Sequence, residues 1–460
     1  MDKFLDTMTS YAQGLKFEDI PNEVVERAKH FILDAVGCAL GASKSPPVII
    51  AQASAKEISS TTPSKVLGSA EPTSPDLAAF VNGAMIRYLD YNDTYTGYTT
   101  CHPSDMVGPA LAAASAKQNG SGKDVILGTV LGYEILCGLT DTPIFEGATG
   151  FRHWDQSALG LVAASVLSAK ILGLNKEQMD HAVSLAVSSH LSIGQIRTGQ
   201  ISHWKGCAVG NASRNGVFCS MLAAKGMTGP NFVFEGEGGY FNAIGNKIEL
   251  PPLGNKGGEF KIMRARVKPY PSGYFSQSAI EAVLELKDNI SDVSEIKSIL
   301  LETFPSGKSA MGGDISRWKP ETRESADHSL PFVMAVALME GNLEIRHYDE
   351  EYYKKPNVRE LMDKIQIEVG EESSNAWPDL PLNVLSIETN SGKKFSTKVA
   401  FHLGHYERLM TNAQLENKFK PMALQYGDLP ENQINELLSN LWNLETVDDI
   451  NQVIELTAKK

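Results

Sequence analysis

Cysteine is scarce and scattered: Cys38, Cys101, Cys137, Cys207 and Cys219 are the only five in 460 residues, and no two form a C-x-x-C pair. That spacing excludes a zinc knuckle or a cysteine-ligated cluster, and the odd count argues against a disulfide scaffold. Long apolar runs are missing too. Uncharged stretches such as Ser157 to Ala169 fall short of the ~18 residues that span a bilayer. Positive charge is in deficit: 42 Lys and Arg against 55 Asp and Glu leave a formal net charge of −13. Neither nucleic acid nor an anionic membrane finds a basic footprint here, so any anionic ligand must meet locally gathered cations. The opening Met1-Asp2-Lys3-Phe4-Leu5-Asp6 has acidic residues where a secretory signal carries basic ones, and no apolar segment follows. A soluble, cytoplasmic protein in a reducing compartment is expected.

What is present is enough for more than one core. A chain of 460 residues exceeds the roughly 250–300 residues at which single cores stop growing, so two domains are expected. Apolar residues recur at helical spacing in Asn22 to Ala42, with Pro21 before and Gly41 near the end as start and stop signals. Pro46 to Pro75, rich in Ser, Thr and Pro, reads as an irregular connection. Helical spacing returns from Leu77 to Leu89 and runs into Asp90-Tyr91-Asn92-Asp93-Thr94-Tyr95. Cys101-His102-Pro103-Ser104-Asp105 then precedes a helix over Met106 to Lys117, with Ser104 as its expected N-cap. Further helices are predicted over Val125–Leu139, Ala158–Leu172, Glu177–Ser189 and Val209–Lys225. Their abundant Ala, Gly and Ser favour close backbone approach in a helical bundle.

Near residue 258 the pattern changes. Phe260 to Val267 alternates at period two, as a strand does; Ser276–Lys287 and Ala326–Leu338 read as helices, and Ile296–Phe304 as a strand. Leu361–Val369 passes from helix into strand, and Val384–Val399 reads as a hairpin around Asn390-Ser391-Gly392. From Asn412 helical patterning resumes. The predicted architecture is mainly α: a large, discontinuous all-helical domain over 1–265 and 402–460, and a smaller α+β domain over 266–401.

Polar islands at the ends of the small-residue helices carry the candidate chemistry. Asn92-Asp93-Thr94, His102-Pro103-Ser104-Asp105 and His203-Trp204-Lys205 together offer a carboxylate, imidazoles, hydroxyls and an ammonium. Lys205 precedes a Gly/Ala/Ser-rich helix, where a point charge adds to the positive end of the helix dipole and suits an anion. Lys268-Pro269-Tyr270-Pro271 adds a second lysine at the change of pattern. Two ammonium groups facing a carboxylate withdraw charge from it and make its α-proton removable. Each group taken singly also has an ordinary reading: Asp93 and Thr94 as a helix end, His102 as a turn histidine, Lys268 as a strand lysine. Gly210-Asn211-Ala212-Ser213-Arg214-Asn215-Gly216 lacks the G-x-G-x-x-G pattern and a preceding strand, so a dinucleotide is not expected. With no histidines paired at i,i+4, no metal is expected either.

Taken together and in order, these segments resemble the MmgE/PrpD family. Tyr88 to Tyr95, Cys101 to Asp105, Trp204-Lys205-Gly206 through Gly216, Gly229-Pro230 through Gly236, Lys268 to Pro271, and Glu324-Ser325-Ala326-Asp327-His328-Ser329-Leu330-Pro331-Phe332 carry the likeness. The family's members include 2-methylcitrate dehydratases, cis-aconitate decarboxylase and iminodisuccinate epimerase. The resemblance implies the large helical domain with an α+β lid, a homodimer, and a cleft active site with no metal and no cofactor. It implies Asp93, His102, Lys205 and Lys268 as catalytic positions, with the lysines clamping carboxylate and His102 with Asp93 handling protons. Asn92, Thr94, Ser104, Gln156 and Tyr270 are expected to bind the substrate, a small carboxylic acid. The leading expectation is elimination of water, as from 2-methylcitrate.

Two departures stand against a simple transfer. Where dehydratase-like relatives read Trp-Asp-His, this chain has Trp154-Asp155-Gln156, with His153 three residues upstream of Gln156. Where they read His-Ser-Gln, it has Phe275-Ser276-Gln277. Glutamine does not exchange protons near neutral pH, and phenylalanine has none to exchange. Decarboxylation or epimerisation of a related acid is therefore the alternative, and a catalytically impaired carboxylate-binding relative the third reading.

Overall fold

Three glycines show how the helices of the chain are brought together. In the computed structural model, which describes residues 2–145, 154–190 and 192–459, helices Pro75–Tyr88, Val107–Ala116 and Trp204–Ala224 meet at Gly83, Gly108 and Gly210. A Cβ added to Gly83 would stand 2.8 Å from the Gly210 Cα, and one added to Gly108 would stand 2.9 Å from the Gly83 nitrogen. Backbone meets backbone at these crossings, which no larger residue permits.

The chain forms two compact units. The first comprises Met1–Ile196, Gly206–Val267 and Thr411–Lys460; the second comprises Arg197–Lys205 and Lys268–Met410. In the first, Asn22–Gly41 is buried along nearly its whole length, and the C-terminal segment returns to it. Gly37 and Gly41 face Phe419 and Met422, Lys29 bonds the Trp442 carbonyl at 2.9 Å, and Lys418 pairs with Asp34. Helices Gly122–Thr140, Ser157–Ile171 and Lys176–Ser189 complete the bundle, the first and third opened by capping boxes at Ser121 and Asn175.

The second unit is built on a mixed four-stranded sheet in the order Ile365–Val369, Ile296–Thr303, Asn383–Thr389, Lys394–Val399. The first pair is parallel and the others antiparallel, and the hairpin turns at Gly392 with φ of 84°. Alternate residues of Asn383–Thr389 are buried against a core that includes helices Gln277–Lys287 and Leu330–Glu340. No helix among the described residues is long and apolar enough to cross a membrane.

Several local expectations are corrected. Pro46–Lys56 is a helix rather than an irregular connection, because its prolines stand in the first turn, where no N–H is needed. Phe260–Val267 is not a strand: Lys261–Arg264 forms a 3₁₀ turn whose Lys261 N–H is captured by the Glu134 carboxylate, and only Arg266 makes an isolated bridge, to Thr94. Ser104 caps no helix; it lies inside a 3₁₀ turn, Pro103–Met106. The helix expected from Val209 begins at Trp204, which puts Lys205 in its first turn. The single helix expected over Ala326–Leu338 is two, Arg323–Ala326 and Leu330–Glu340, separated by Asp327-His328-Ser329.

Candidate functional site

In the first unit, helix Pro75–Tyr88 ends just before Asp90, whose φ of 50° turns the chain sharply. Asp90 pairs with the buried Arg87 at 2.8 Å. The segment that follows is fixed by the Thr94–Arg266 bridge, with both N–H···O distances at 2.9 Å. Within it Asn92, Asp93 and Thr94 are all buried against the Pro103–Met106 turn.

The Asp93 carboxylate accepts two hydrogen bonds, from the Ser104 N–H at 2.9 Å and from the Tyr133 hydroxyl at 2.6 Å. Burial pushes its pKa up to about 6; the bonds from Ser104 and Tyr133 pull the other way. Asp93 meets His102 through its main chain, since the His102 Nδ1 lies 2.7 Å from the Asp93 carbonyl oxygen. A carbonyl only accepts, so Nδ1 carries the hydrogen and Nε2 holds the lone pair of the neutral ring. The Thr94 hydroxyl donates to the same carbonyl at 2.8 Å and stands 3.3 Å from Nδ1. Asn92 donates through Nδ2 to Ser104 Oγ at 3.0 Å and to Asp105 Oδ1 at 2.9 Å, while its buried Oδ1 has no hydrogen-bond partner among the described residues. Thus Asn92, Asp93, Thr94, His102 and Ser104 form one connected group, with an oriented imidazole at one end.

Gln156 stands at the N-cap of Ser157–Ile171 in the same unit, but the capping is done by Asp155, whose Oδ1 accepts from the Ser157 N–H at 2.9 Å. That helix packs on the Pro103–Met106 turn, with Gly160 against Met106. His153 lies outside the described residues.

In the second unit the centre is Asp327, fully buried in the gap between two helices. Its Oδ1 is 3.6 Å from the Lys205 Nζ and accepts from His328 Nδ1; its Oδ2 is 3.3 Å from Arg323. The Lys205 Nζ also lies 3.4 Å from His328 Nδ1. The Asp327 carbonyl accepts from the Gly273 N–H at 3.0 Å and the Ser272 hydroxyl at 2.9 Å. This ties down the loop that carries Lys268 and Tyr270. Gln277 holds the loop from its other side: its Nε2 donates to the carbonyls of Tyr270 and Ser272, both at 3.1 Å. Asp327 therefore anchors both lysine-bearing segments, one by its side chain and one by its main chain. Lys205 and Lys268 are each buried, an uncommon state for a lysine without a charged or polar role. Burial, reinforced by the nearby Glu281, raises the pKa of Tyr270 and keeps its hydroxyl protonated.

Phe275 takes a different part. Its ring meets Phe304 and Trp377 edge-on at 5.5 and 5.4 Å, and those two stack at 4.3 Å. Phe275 thus belongs to an aromatic cluster.

Two family models match the chain one after the other. Residues 6–252 match the MmgE/PrpD N-terminal domain, and residues 270–444 match the MmgE/PrpD C-terminal domain. The chain belongs to the MmgE/PrpD family. Among its relatives in that family, the cis-aconitate decarboxylase of Homo sapiens is 25% identical over 459 residues, covering 96% of this chain and 92% of its own. The cis-aconitate decarboxylase of Aspergillus terreus is 26% identical over 473 residues, with 97% and 94% covered. The 2-methylcitrate dehydratase of Salmonella typhimurium is 25% identical over 475 residues, with 96% and 95% covered. Identities this even support the family and not one member's reaction.

Sequence reasoning passed over Tyr133, Arg323, Asp327 and His328 as site residues. The signal for the last two was present in the Glu324–Phe332 motif, and in Pro331, which marks the first turn of a new helix rather than the middle of an old one. Tyr133 sits among apolar residues of the Gly122–Thr140 helix, where nothing in the pattern separates it from core.

Proposed function

We propose that this MmgE/PrpD protein is a lyase acting on a small di- or tricarboxylic acid, with elimination of water of the 2-methylcitrate type as the leading reaction. The observation that carries this reading is the convergence on Asp327 of the two segments bearing buried lysines, beside an imidazole. In this reading Lys205 and Lys268 hold carboxylate groups of the substrate and draw charge from the carbon next to one of them. His102, held with its lone pair on Nε2, takes the proton from that carbon, and Asp93 positions the ring through its carbonyl. Asn92, Thr94, Ser104, Gln156 and Tyr270 complete the assignment as substrate-contacting or supporting groups.

A second reaction, decarboxylation of an unsaturated tricarboxylate, is favoured by Gln156 and by the packing of Phe275 into an aromatic cluster. Dehydration needs one proton removed from carbon and one delivered to the departing hydroxyl. Decarboxylation needs only one delivered to the carbon that carbon dioxide leaves, so it asks less of a chain short of histidines. The purified protein is to be incubated with citrate, 2-methylcitrate, cis-aconitate and aspartate-derived acids, and the products identified. An unsaturated acid formed with loss of water supports the leading reading; release of carbon dioxide alone replaces it with the second. Full activity in both Lys205→Ala and Lys268→Ala, with the fold intact, would end both.

A further inference from the structure

A third lysine, far along the chain, reaches the segment that holds the His102 ring. The helix Asn412–Pro421 packs on Asn22–Gly41 and buries Leu415 and Phe419. Lys418 falls on that same face, three residues after Leu415, and only 5% of its side chain is exposed, against 2% for its partner Asp34. The Lys418 Nζ meets Asp34 Oδ1 at 2.5 Å, lies 4.0 Å from the centre of the Tyr91 ring, and donates to the Tyr91 carbonyl at 2.8 Å. An ion pair between two helices does not need the last of these bonds. Apolar side chains of similar volume often replace a buried pair with no loss of stability, but they hold no main-chain oxygen.

The Tyr91 carbonyl stands two residues ahead of the Asp93 carbonyl, from which the His102 Nδ1 lies 2.7 Å. Just before it the chain turns sharply at Asp90, with φ of 50°, so the helix Pro75–Tyr88 does not carry its own geometry through to Tyr91. On the far side, Thr94 is held by both of its bonds to Arg266 at 2.9 Å. The Asp93 carbonyl is therefore suspended between two anchors, Lys418 before it and Arg266 after it. All of these residues belong to the first unit. Misplacement of a reacting group by about 1 Å costs about 100-fold in rate, so an anchor this close to the carbonyl that orients an imidazole bears on the chemistry.

From this arrangement we infer that Lys418 is a positioning residue for the reaction: by its bond to the Tyr91 carbonyl, the C-terminal helix fixes the main chain that orients His102. The inference rests on the lyase reading above, in which His102 exchanges the proton. Asp34 serves it by holding the Lys418 ammonium in place from the neighbouring helix. Lys418 itself touches no substrate in this account and acts only through the Asn92-Asp93-Thr94 segment.

The test uses the full chain on the substrate that the wild type turns over. Lys418→Met alone takes from the buried Asp34 carboxylate the ammonium bonded to it and threatens the fold. The effect is therefore read from Asp34→Asn/Lys418→Met, which removes both charges, against Asp34→Asn, which keeps the bond to Tyr91, and against wild type. Urea unfolding checks that each variant is folded under the assay conditions. The expected result is a kcat for the double variant about tenfold or more below both references, with KM within a few-fold. The same comparison is then made in a His102→Gln background. There the added loss is expected to be less than about twofold, because the ring that Lys418 helps to orient is gone; groups that act through one another do not add. A kcat for the folded double variant within about twofold of both references overturns the inference while leaving the lyase reading intact. So does a loss confined to KM or to the urea midpoint, or a tenfold loss that persists without His102. A wild type that forms no product from any of the acids removes the lyase reading, and this inference with it.

Discussion

His102 and Tyr133 show how a single residue gains a role from its partners. His102 is held by the carbonyl of Asp93, whose carboxylate is in turn held by Tyr133 at 2.6 Å and by the Ser104 N–H. Replacing His102 with Gln keeps a polar group of similar reach and removes the exchangeable proton. The expected result is a loss of about 10²–10⁴ in kcat with little change in substrate KM, measured by steady-state kinetics on the identified substrate. Tyr133→Phe is a subtler change, because the ring stays packed and only the hydroxyl goes. Asp93 then loses a charge-assisted bond, and its pKa is expected to rise further above about 6. The measurement is the pH dependence of kcat/KM: a wild-type-like profile in Tyr133→Phe would show that the Asp93 carboxylate has no bearing on the imidazole. His102, Asp93 and Lys205 were visible in the sequence as polar islands beside small-residue helices. Tyr133 was not, because the sequence carries no mark of which buried polar atom meets which; Asp327 stood in a motif, but its bonds to Lys205 and Arg323 did not show there.

The helices were legible for the most part because burial on one face imposes a 3.6-residue recurrence on the sequence. The places where that reading failed have local physical causes. Pro46 and Pro47 open a helix, and Phe260 to Val267 is a loop in which residues such as Ile262 and Val267 are buried without sharing one face of a strand. The break at Asp327-His328-Ser329 contains neither glycine nor proline, so only its consequences mark it: the Ser329 side chain accepts from the Phe332 N–H and Pro331 stands in the new first turn. The small-residue content of the bundle, by contrast, was read correctly as close approach. Gly83→Ala tests it, since the new Cβ would stand 2.8 Å from the Gly210 Cα. Overpacking of this kind costs about 1–3 kcal/mol, to be read as a lowered midpoint in urea unfolding. Gly14→Ala, at the end of helix Lys3–Gly14 with nothing within 4 Å of the new Cβ, is the control, and is expected to be neutral or slightly stabilising. Equal effects from the two substitutions would mean that the glycine crossing does not limit the packing.

The stability of the whole chain is coupled to pH through groups that pull in opposite directions. Asp93 is raised to about 6 and Glu134 to about 7, each chiefly by burial. Glu134 uses its carboxylate to hold the N–H groups of Gly254 and Lys261, and those bonds offset only part of the desolvation. A carboxyl whose folded pKa lies above its unfolded value binds a proton more tightly in the native state. Its contribution is therefore fully present below the unfolded value and is lost as pH rises through the folded one. For Glu134 the window runs from its ordinary 4.5 to about 7. His30 and His347 act the other way: burial lowers each from 6.5 to about 4, so native stability gains as pH rises across that interval. Because the two effects overlap, the wild-type curve alone separates neither. The difference between Glu134→Gln and wild type isolates the carboxyl. Glutamine cannot ionise, so the variant's unfolding free energy relative to wild type is expected to improve as pH rises from 4.5 to 7, by about 3 kcal/mol at most at 1.36 kcal/mol per pKa unit. Below pH 4.5 both side chains are neutral, and any remaining difference reports the hydrogen bond that the amide fails to make to one of the two N–H groups. Urea unfolding at pH 4.5, 5.5, 6.5 and 7.5 measures this. A difference that stays flat across the series would mean that Glu134 ionises in the folded chain near its ordinary pKa, and that the Gly254 and Lys261 bonds compensate its burial in full.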